Sequence, residues 1–366
     1  MSVSSPQTLD RFDEPRAEAF SEKIAGMLNA GAVTAMMAIG HRLGLYDVMS
    51  GMAPATSADI AARAELSERY VREWLAVMTM GGIVDYDPVS KTYALPAEHA
   101  ACLTREAPLG NLAVYAQMVG FISSVQDKLI ACFETGEGTT YDDYPCFHQV
   151  MAEDSAQTII AGLFDVILPL VDGLADRLEA GIDVLDAGCG RGQALIAMAA
   201  KYPNSRFVGY DLCADAIDHA DADVRAQGLD NIRFEQRDLS TYDEVDRFDF
   251  ITSFDAIHDQ KDPQDLLRRL HRALRPGGVY LVQDIGGSAH LEQNYDFPMA
   301  AMLYAISCAH CMPISLGQGG EGLGTMWGWE TAEAMLGEAG FVQVERRSLE
   351  HDPMNVWFVS RKAAEA

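Results

Sequence analysis

The segment Val184-Leu-Asp-Ala-Gly-Cys-Gly-Arg-Gly192 decides the fold class, because it leads from an apolar run into a glycine-rich turn. Gly188, Gly190 and Gly192 allow the backbone to turn tightly and to approach a ligand closely. The fingerprint of a nicotinamide-binding fold would place a third glycine or alanine at position 193, where this chain has Gln193. The segment therefore predicts a strand, a ligand-binding turn and a helix without the strict dinucleotide signature.

Short apolar runs typical of strands recur through the C-terminal half of the chain, and helical stretches separate the first five of them. The predicted strands are Asp183–Ala187, Arg206–Tyr210, Ile232–Gln236, Phe248–Ser253, Val279–Asp284, Val342–Arg347 and Asn355–Arg361. Such alternation predicts a mainly parallel sheet with helices on both faces, whose ligands bind beyond the carboxyl ends of the strands. The predicted fold class is therefore α/β, with a Rossmann-like sheet of seven strands.

Acidic side chains are expected at three successive strand ends. Asp186 precedes the first glycine of the turn by two positions, Asp211 ends the second strand, and Asp238 follows the third. A carboxylate at Asp211 can accept hydrogen bonds from both hydroxyls of a ribose, and one at Asp238 can accept from an adenine amino group. The three positions together indicate an adenosine-type ligand.

On these residues, the segment 181–362 resembles the class I S-adenosylmethionine-dependent methyltransferases, and Arg275-Pro-Gly-Gly278 before the fifth strand fits as well. The front end and the segment Phe254-Asp-Ala-Ile-His-Asp259 resemble more narrowly the bacterial methyltransferases with an N-terminal winged helix, and more distantly the dimeric small-molecule O-methyltransferases. The resemblance implies that S-adenosylmethionine is the cofactor. The residues expected to bind it are Asp186, Gly188, Cys189, Gly190, Asp211, Leu212, Asp238, Leu239, Ser253 and Phe254.

Methyl transfer from a sulfonium is an in-line displacement with a neutral leaving group, so the enzyme supplies alignment, a desolvated pocket and, where the acceptor needs it, a base. No metal is expected to be required. In the dimeric O-methyltransferases a His-Asp pair past the fourth strand supplies the base, which implies that His258 and Asp259 are catalytic here. This chain continues with Gln260-Lys261 where a tryptophan commonly follows. The alternative is a histidine hydrogen-bonded to backbone at the strand end.

The acceptor site is expected to draw on two further segments. Residues 286–326 form a connection rich in Met, Cys, His and Gly that is too long for a turn, and residues 134–144 form a loop that either connects two helices or closes over a ligand. The predicted substrate-binding residues are Tyr141, Tyr144, Cys308, His310 and Cys311. A structural zinc site needs four ligands, and no further partners stand at recognisable spacing, so the two cysteines are interpreted as pocket lining. Residues 317–324 are interpreted as a lid.

The N-terminal part predicts a winged helix. Ser57 and Ser67 are suitable N-caps for two helices, Gly81-Gly82 ends the second, and the alternating runs 83–86 and 91–95 predict a hairpin. Residues 41–103 carry five basic and eight acidic side chains, which gives no basic stripe for phosphates. We therefore predict a domain 1–108 for dimerisation and for covering the active site, a helical region 109–180, and a methyltransferase domain 181–362 with the insertion 286–326.

Composition limits the partners and the compartment. A formal net charge of −27 disfavours nucleic acid and anionic lipid as partners. The longest apolar run, residues 30–40, is shorter than the roughly 20 residues that cross a bilayer, and no secretory signal is recognisable. Seven cysteines without regular spacing indicate reduced thiols.

We therefore expect a cytoplasmic homodimer that methylates a small-molecule nucleophile. Three points stay open. The acceptor atom is oxygen or sulfur, an S-methyltransferase for thiols or sulfide is a second hypothesis, and a non-catalytic regulator that binds S-adenosylmethionine is a third. The lack of a basic recognition helix argues against the regulator.

Overall fold

The structure is a computed structural model that describes residues 12–107 and 110–364. The chain divides into two compact units, Met1–Gly120 and Phe121–Ala366.

The N-terminal unit contains a helical bundle followed by a two-stranded hairpin. Its elements are α1 (Glu14–Arg42), α2 (Leu45–Met49), α3 (Ser57–Ala64), α4 (Glu68–Met80), β1 (Asp85–Asp87), β2 (Thr92–Ala94) and α5 (Ala97–Ala100), and α6 (Ala113–Ser124) crosses the division between the units. The strands β1 and β2 pair antiparallel, as expected for a wing. The predicted helices and hairpin of a winged helix are therefore confirmed.

One predicted helix cap was wrong by a residue. The N-cap of α3 is Thr56 rather than Ser57, because Thr56 and Asp59 form a reciprocal capping box. The Thr56 amide donates to Asp59 Oδ2 at 3.2 Å, and the Asp59 amide donates to Thr56 Oγ1 at 3.3 Å. The predicted cap of α4, Ser67, is confirmed in position, although its side chain makes no capping hydrogen bond.

Helix α1 packs on α4 only near its C-terminal end. The Trp74 indole donates to the Met36 carbonyl at 2.9 Å, and a Cβ at Gly40 would lie 2.4 Å from the Trp74 ring. Of its 29 residues, only Ala38, Gly40 and His41 are buried. Most of this apolar helix therefore lies on the surface of the isolated chain.

Among the described residues, two helical stretches are long and apolar enough to cross a membrane, namely α1 and residues 300–317. The uninterrupted apolar run of residues 30–40 is shorter than a membrane span, but the helix that contains it has 29 residues. Core helices of soluble proteins pass the same test, so these two stretches do not by themselves indicate a membrane protein.

The C-terminal unit begins with helices and continues as an alternating α/β domain. The first part contains α7 (Gln126–Thr135), a 3-10 turn (Tyr141–Asp143), α8 (Phe147–Ser155), π-helical turns (Ala156–Ile160 and Leu163–Ile167) and α9 (Leu174–Ala180). The domain itself contains β3 (Asp183–Ala187), α10 (Gln193–Lys201), β4 (Arg206–Asp211), α11 (Ala214–Gln227), β5 (Ile232–Gln236), β6 (Phe248–Phe254), α12 (Pro263–Ala273), β7 (Leu274–Ile285), α13 (Ala300–Ile306), α14 (Met312–Gly317), α15 (Trp329–Glu338), β8 (Val342–Leu349) and β9 (Asp352–Arg361). A π-helical turn, Ser307–Cys311, joins α13 to α14.

The seven strands β3 to β9 form one sheet in the order β5-β4-β3-β6-β7-β9-β8. Strands β3 to β7 are parallel, and β9 is antiparallel to both of its neighbours. All seven predicted strands and the mainly parallel sheet are confirmed. Because the strand order reverses at β3, a crevice opens beyond its carboxyl end, which is where open α/β sheets bind ligands.

Candidate functional site

A cleft of about 1120 Å³, part of it open to solvent, lies at the carboxyl ends of the central strands. Its lining includes nine of the residues predicted to bind the cofactor, Asp186, Gly188, Cys189, Gly190, Asp211, Leu212, Asp238, Leu239 and Phe254. The tenth, Ser253, is fully buried and is not part of the lining. The structure therefore brings most of the predicted set to one surface.

The glycine turn between β3 and α10 needs its glycines for two reasons. Gly188, Gly190 and Gly192 have φ angles of 81°, 52° and 68°, in the left-handed region that side chains disfavour. A Cβ at Gly188 would lie 2.4 Å from the Ala256 Cβ, and one at Gly192 would lie 2.2 Å from the Phe234 ring. Gly190 instead faces open space, which leaves its backbone accessible from the cleft.

Asp211 holds this turn in place. The Gly190 amide donates to Asp211 Oδ2 at 2.8 Å, and the Cys213 amide donates to Oδ1 at 2.9 Å. Each carboxylate oxygen can accept a second hydrogen bond, so a ribose diol can still be accommodated. Asp211 therefore has a structural role that the sequence did not indicate, in addition to its predicted ligand contact.

Asp186 is a buried carboxyl group at the end of β3. The Thr252 hydroxyl donates to Asp186 Oδ1 at 2.9 Å. Burial raises the pKa of Asp186 to about 7, the charge of Asp211 acts in the same direction, and the bond from Thr252 opposes it. A cationic group bound here would stabilise the ionised carboxylate.

The predicted base, His258, lies behind the cleft rather than on its lining. Its side chain is 5% exposed, and its Nδ1 is 2.7 Å from Asp284 Oδ1, near the end of β7. Burial alone would lower the pKa of His258, but the charge and hydrogen bond of Asp284, with Cys311 beside the ring, raise it well above its usual value. The partner of Nδ1 is thus a carboxylate and not the backbone.

Asp259, the second predicted catalytic residue, does line the cleft. The Tyr141 hydroxyl donates to Asp259 Oδ2 at 2.6 Å, which joins the predicted acceptor loop to the end of β6. Burial raises the pKa of Asp259, while His258 and the bond from Tyr141 oppose that shift. Tyr141 also lines the cleft, as predicted for a substrate-binding residue.

The other predicted acceptor residues surround a buried aromatic cluster. The His310 ring stacks on Phe147 with centroids 4.1 Å apart and meets Tyr144 edge-on at 4.6 Å. Burial, with the charges of His258 and His148, lowers the pKa of His310 to about 3, so this imidazole is neutral. Tyr144 lines a neighbouring cavity, Cys311 is buried, and Cys308 is half-buried.

Sequence reasoning missed three residues that the structure brings into this region. Asp255 lines the cleft, Asp284 holds His258, and Phe147 forms both part of the lining and the stack on His310. The rule that had selected Asp186, Asp211 and Asp238 at strand ends would also have selected Asp255 and Asp284. No sequence signal distinguishes Phe147 from a core residue.

Two family descriptions match this chain. Residues 31–105 match a Rv2258c-like winged HTH domain, and residues 178–335 match a methyltransferase domain. Among curated relatives, the trans-aconitate 2-methyltransferase of Deinococcus radiodurans is 38% identical over 100 residues, which is 27% of this chain and 36% of that protein. A ubiquinone/menaquinone biosynthesis C-methyltransferase of Bdellovibrio bacteriovorus is 29% identical over 136 residues, 37% and 54% of the two chains. The first curated relatives are thus matched over only 24% to 54% of their own lengths.

Solved structures are similar along almost the whole chain. Human N-acetylserotonin methyltransferase in complex with S-adenosylmethionine has a TM-score of 0.67 at 17% identity, covering 97% of this chain and 99% of that one. An O-methyltransferase family protein of Burkholderia thailandensis has a TM-score of 0.65 at 14% identity, covering 94% and 99%. At these identities the likeness shows the fold.

The C-terminal unit therefore contains an S-adenosylmethionine-dependent methyltransferase domain, and a winged HTH domain precedes it. The cofactor predicted from the glycine turn and the acidic strand ends is the one that this class of domain uses.

Proposed function

We propose that this chain transfers the methyl group of S-adenosylmethionine to a small-molecule nucleophile held in the cleft of its C-terminal unit. One observation carries the proposal. Asp186, Asp211 and Asp238 stand at the ends of three adjacent parallel strands and line a single cleft together with the glycine turn. The names of two similar proteins, trans-aconitate 2-methyltransferase and N-acetylserotonin methyltransferase, also refer to small-molecule acceptors.

We assign a part of the cofactor to each strand end. The buried Asp186 carboxylate suits the ammonium group of the methionine moiety, Asp211 suits the ribose hydroxyls, and Asp238 suits the adenine amino group. The side chain of Phe254, at the end of β6, is then beside the sulfonium. This order along the sheet leaves the far side of the cleft, near Asp259 and Tyr141, for the acceptor.

A hydroxyl is the methyl acceptor for which His258 and Asp284, behind the cleft, would matter most, because it needs a base. Asp284 binds Nδ1 of His258, which fixes the ring, and Nε2 can take up a proton once the imidazole is neutral, which the raised pKa of His258 moves to higher pH. An alcohol or phenol must lose its proton during transfer, whereas a thiol ionises more readily and needs the base less. The buried thiol of Cys311 beside the ring is the feature that keeps a soft acceptor, a thiol or sulfide, as the second candidate.

The experiment that tests this function is a screen for S-adenosylhomocysteine production. Purified protein is incubated with S-adenosylmethionine and panels of phenols, carboxylates, thiols and sulfide. We expect turnover with at least one hydroxyl compound, and faster turnover with thiols would shift the assignment to S-methylation. Binding of S-adenosylmethionine without turnover on any panel would favour the regulator instead.

The winged helix argues against that regulator. On α4, the position of a recognition helix, Arg72 pairs with Glu68 at 3.4 Å, and Arg69 pairs with Glu73. These arginines are therefore neutralised within the helix and offer little charge for phosphates. The intact protein should show no salt-sensitive binding to duplex DNA in a fluorescence anisotropy titration.

We further propose that the chain is a cytoplasmic homodimer built through α1. Phe20, Met27 and Leu28 are 61%, 55% and 71% exposed on this helix, an apolar surface that a second copy would cover. Light scattering should give twice the chain mass for the wild type and the chain mass for Leu28→Glu. Tyr70→Glu on α4 places the same charge at another exposed apolar position and should stay dimeric.

A further inference from the structure

Two carboxyl groups lie together at the edge of the sheet, and the proposed transfer uses only one oxygen of one of them, Asp284 Oδ1, to hold His258. Asp255 directly follows β6, and Asp284 is near the end of β7, its parallel neighbour. One oxygen of each carboxyl group and one nitrogen of His258 lie within 4.8 Å of one another. Among the described residues, this is the one group of acidic, cysteine and histidine side chains with such spacing.

Each of the two carboxyl groups has a buried oxygen that accepts no hydrogen bond from any described residue. Asp284 is 1% exposed, and its Oδ1 accepts from His258, the Ile285 amide and the Trp327 indole, while its Oδ2 is buried with no hydrogen-bond partner. Asp255 Oδ2 accepts from Gln283 at 3.0 Å, while its Oδ1 is also buried with no partner. Buried acceptors of this kind usually bind a donor or an ion.

The charges around the two oxygens also favour a bound cation. Asp154 adds a third negative charge near Asp255. In the part of the chain that the structure describes, no lysine or arginine pairs with Asp255 or Asp284, and His258 is already engaged with Asp284 Oδ1. Asp284 raises the pKa of His258, so this imidazole contributes one positive charge against the three carboxylates, and the field that remains at the two oxygens is negative and favours a cation.

We propose that Asp255 and Asp284 bind one hard divalent cation, Mg²⁺ or Mn²⁺, through Asp255 Oδ1 and Asp284 Oδ2. Such ions prefer oxygen ligands and are commonly held by one or two carboxylates with water completing the shell. The site uses only these two oxygens, so the bond between His258 Nδ1 and Asp284 Oδ1 is kept. This inference differs from the expectation that no metal is required, and it does not depend on the proposed methyl transfer.

The test is a titration of the EDTA-treated full chain with Mn²⁺, followed by the electron paramagnetic resonance signal of the free ion. The chain carries a net charge of −27, so high ionic strength is needed to screen weak binding to the surface. We expect the wild type to bind about one ion per chain, and Asp255→Asn and Asp284→Asn to weaken that binding by about tenfold or more. The matched control is Asp259→Asn, which removes the same charge from a neighbouring buried carboxylate and should bind as the wild type does.

Melting temperatures separate loss of the site from loss of the fold. Mn²⁺ should raise the melting temperature of the wild type and of Asp259→Asn, and should leave both site variants unchanged. Asp255→Asn removes only a repulsion and should melt no lower than the metal-free wild type, so a loss of Mn²⁺ binding in that variant is a loss of the site and not of the fold. Asp284→Asn also removes the charge partner of His258 and should melt lower. A wild type without saturable Mn²⁺ binding would overturn the proposal whatever the variants do, and equal binding by all four proteins would place the ion elsewhere.

Discussion

The two halves of the cleft differ in how their side chains are held. In the cofactor half, Asp186 and Asp211 accept hydrogen bonds from nearby groups, and their positions follow from the strand ends and the glycine turn. In the acceptor half, His258, Asp284 and His310 depend on contacts between β6, β7 and the insertion between β7 and α15. Short-range sequence patterns therefore predict where the side chains of the first half lie, whereas the arrangement of the second half depends on packing between elements, and substitutions should divide the same way between binding and turnover.

The largest expected effect is on turnover and comes from the acceptor half. His258→Ala removes the proposed base, and with a hydroxyl acceptor kcat should fall by about 10² to 10⁴ while S-adenosylmethionine affinity changes little. The control is His219→Ala, on the exposed side of α11. Steady-state kinetics on the acceptor found in the screen give the answer, and an unchanged kcat at every pH would make His258 a structural residue.

Next in size is a loss of cofactor binding from the other half. Asp211→Ala removes the proposed ribose contact and the acceptor that holds the Gly190 amide, so affinity should fall by about 1.5 to 3 kcal/mol. Asp218→Ala removes an equal charge from the exposed surface of α11 and should leave affinity unchanged. Isothermal titration calorimetry checks both variants, and wild-type affinity in Asp211→Ala would remove this residue from the site.

A smaller effect concerns pH. Asp186 must be ionised to hold an ammonium group, and its pKa in the empty cleft is raised to about 7. S-adenosylmethionine affinity should therefore be nearly constant above pH 7 and fall by about tenfold per unit below it, since a proton then competes with the ligand. Calorimetry at several pH values should show this bend in the wild type. Asp186→Asn should bind more weakly and lose the bend, and a bend that persists in this variant would assign it to another group.

The smallest expected effect, within the acceptor half, is on the pH at which His258 titrates. Asp284 holds the pKa of His258 above its usual value, so the wild type should need a correspondingly high pH for the imidazole to be a free base. Asp284→Asn should move the acidic limb of the kcat/KM profile to lower pH and reduce the plateau. The profile is measured in EDTA, which keeps the proposed cation out of the comparison. A limb that does not move would mean that His258 is not the group being titrated.

The same division explains what the sequence could predict. The seven strands, the glycine turn and the acidic strand ends are short-range patterns, because apolar runs and positive φ angles are set by the residues themselves. The burial of His258 behind the cleft and its bond to Asp284 bring together a residue of the turn after β6 and a residue of β7, 26 positions apart. The stack of Phe147 on His310 joins positions much farther apart. Periodicity carries no information about such pairings. The sequence therefore predicts which residues belong to the acceptor half but not which of them are in contact.

The cleft at the ends of β3, β4 and β5 should bind S-adenosylmethionine at a single site, which competition calorimetry measures. S-adenosylmethionine is titrated into the wild type alone and into the wild type saturated with S-adenosylhomocysteine or incubated with excess NAD. We predict one site per chain that S-adenosylhomocysteine blocks and NAD leaves unchanged, because the turn carries Gln193 where a dinucleotide site needs glycine or alanine. Absence of binding, or binding that NAD abolishes, would contradict the account.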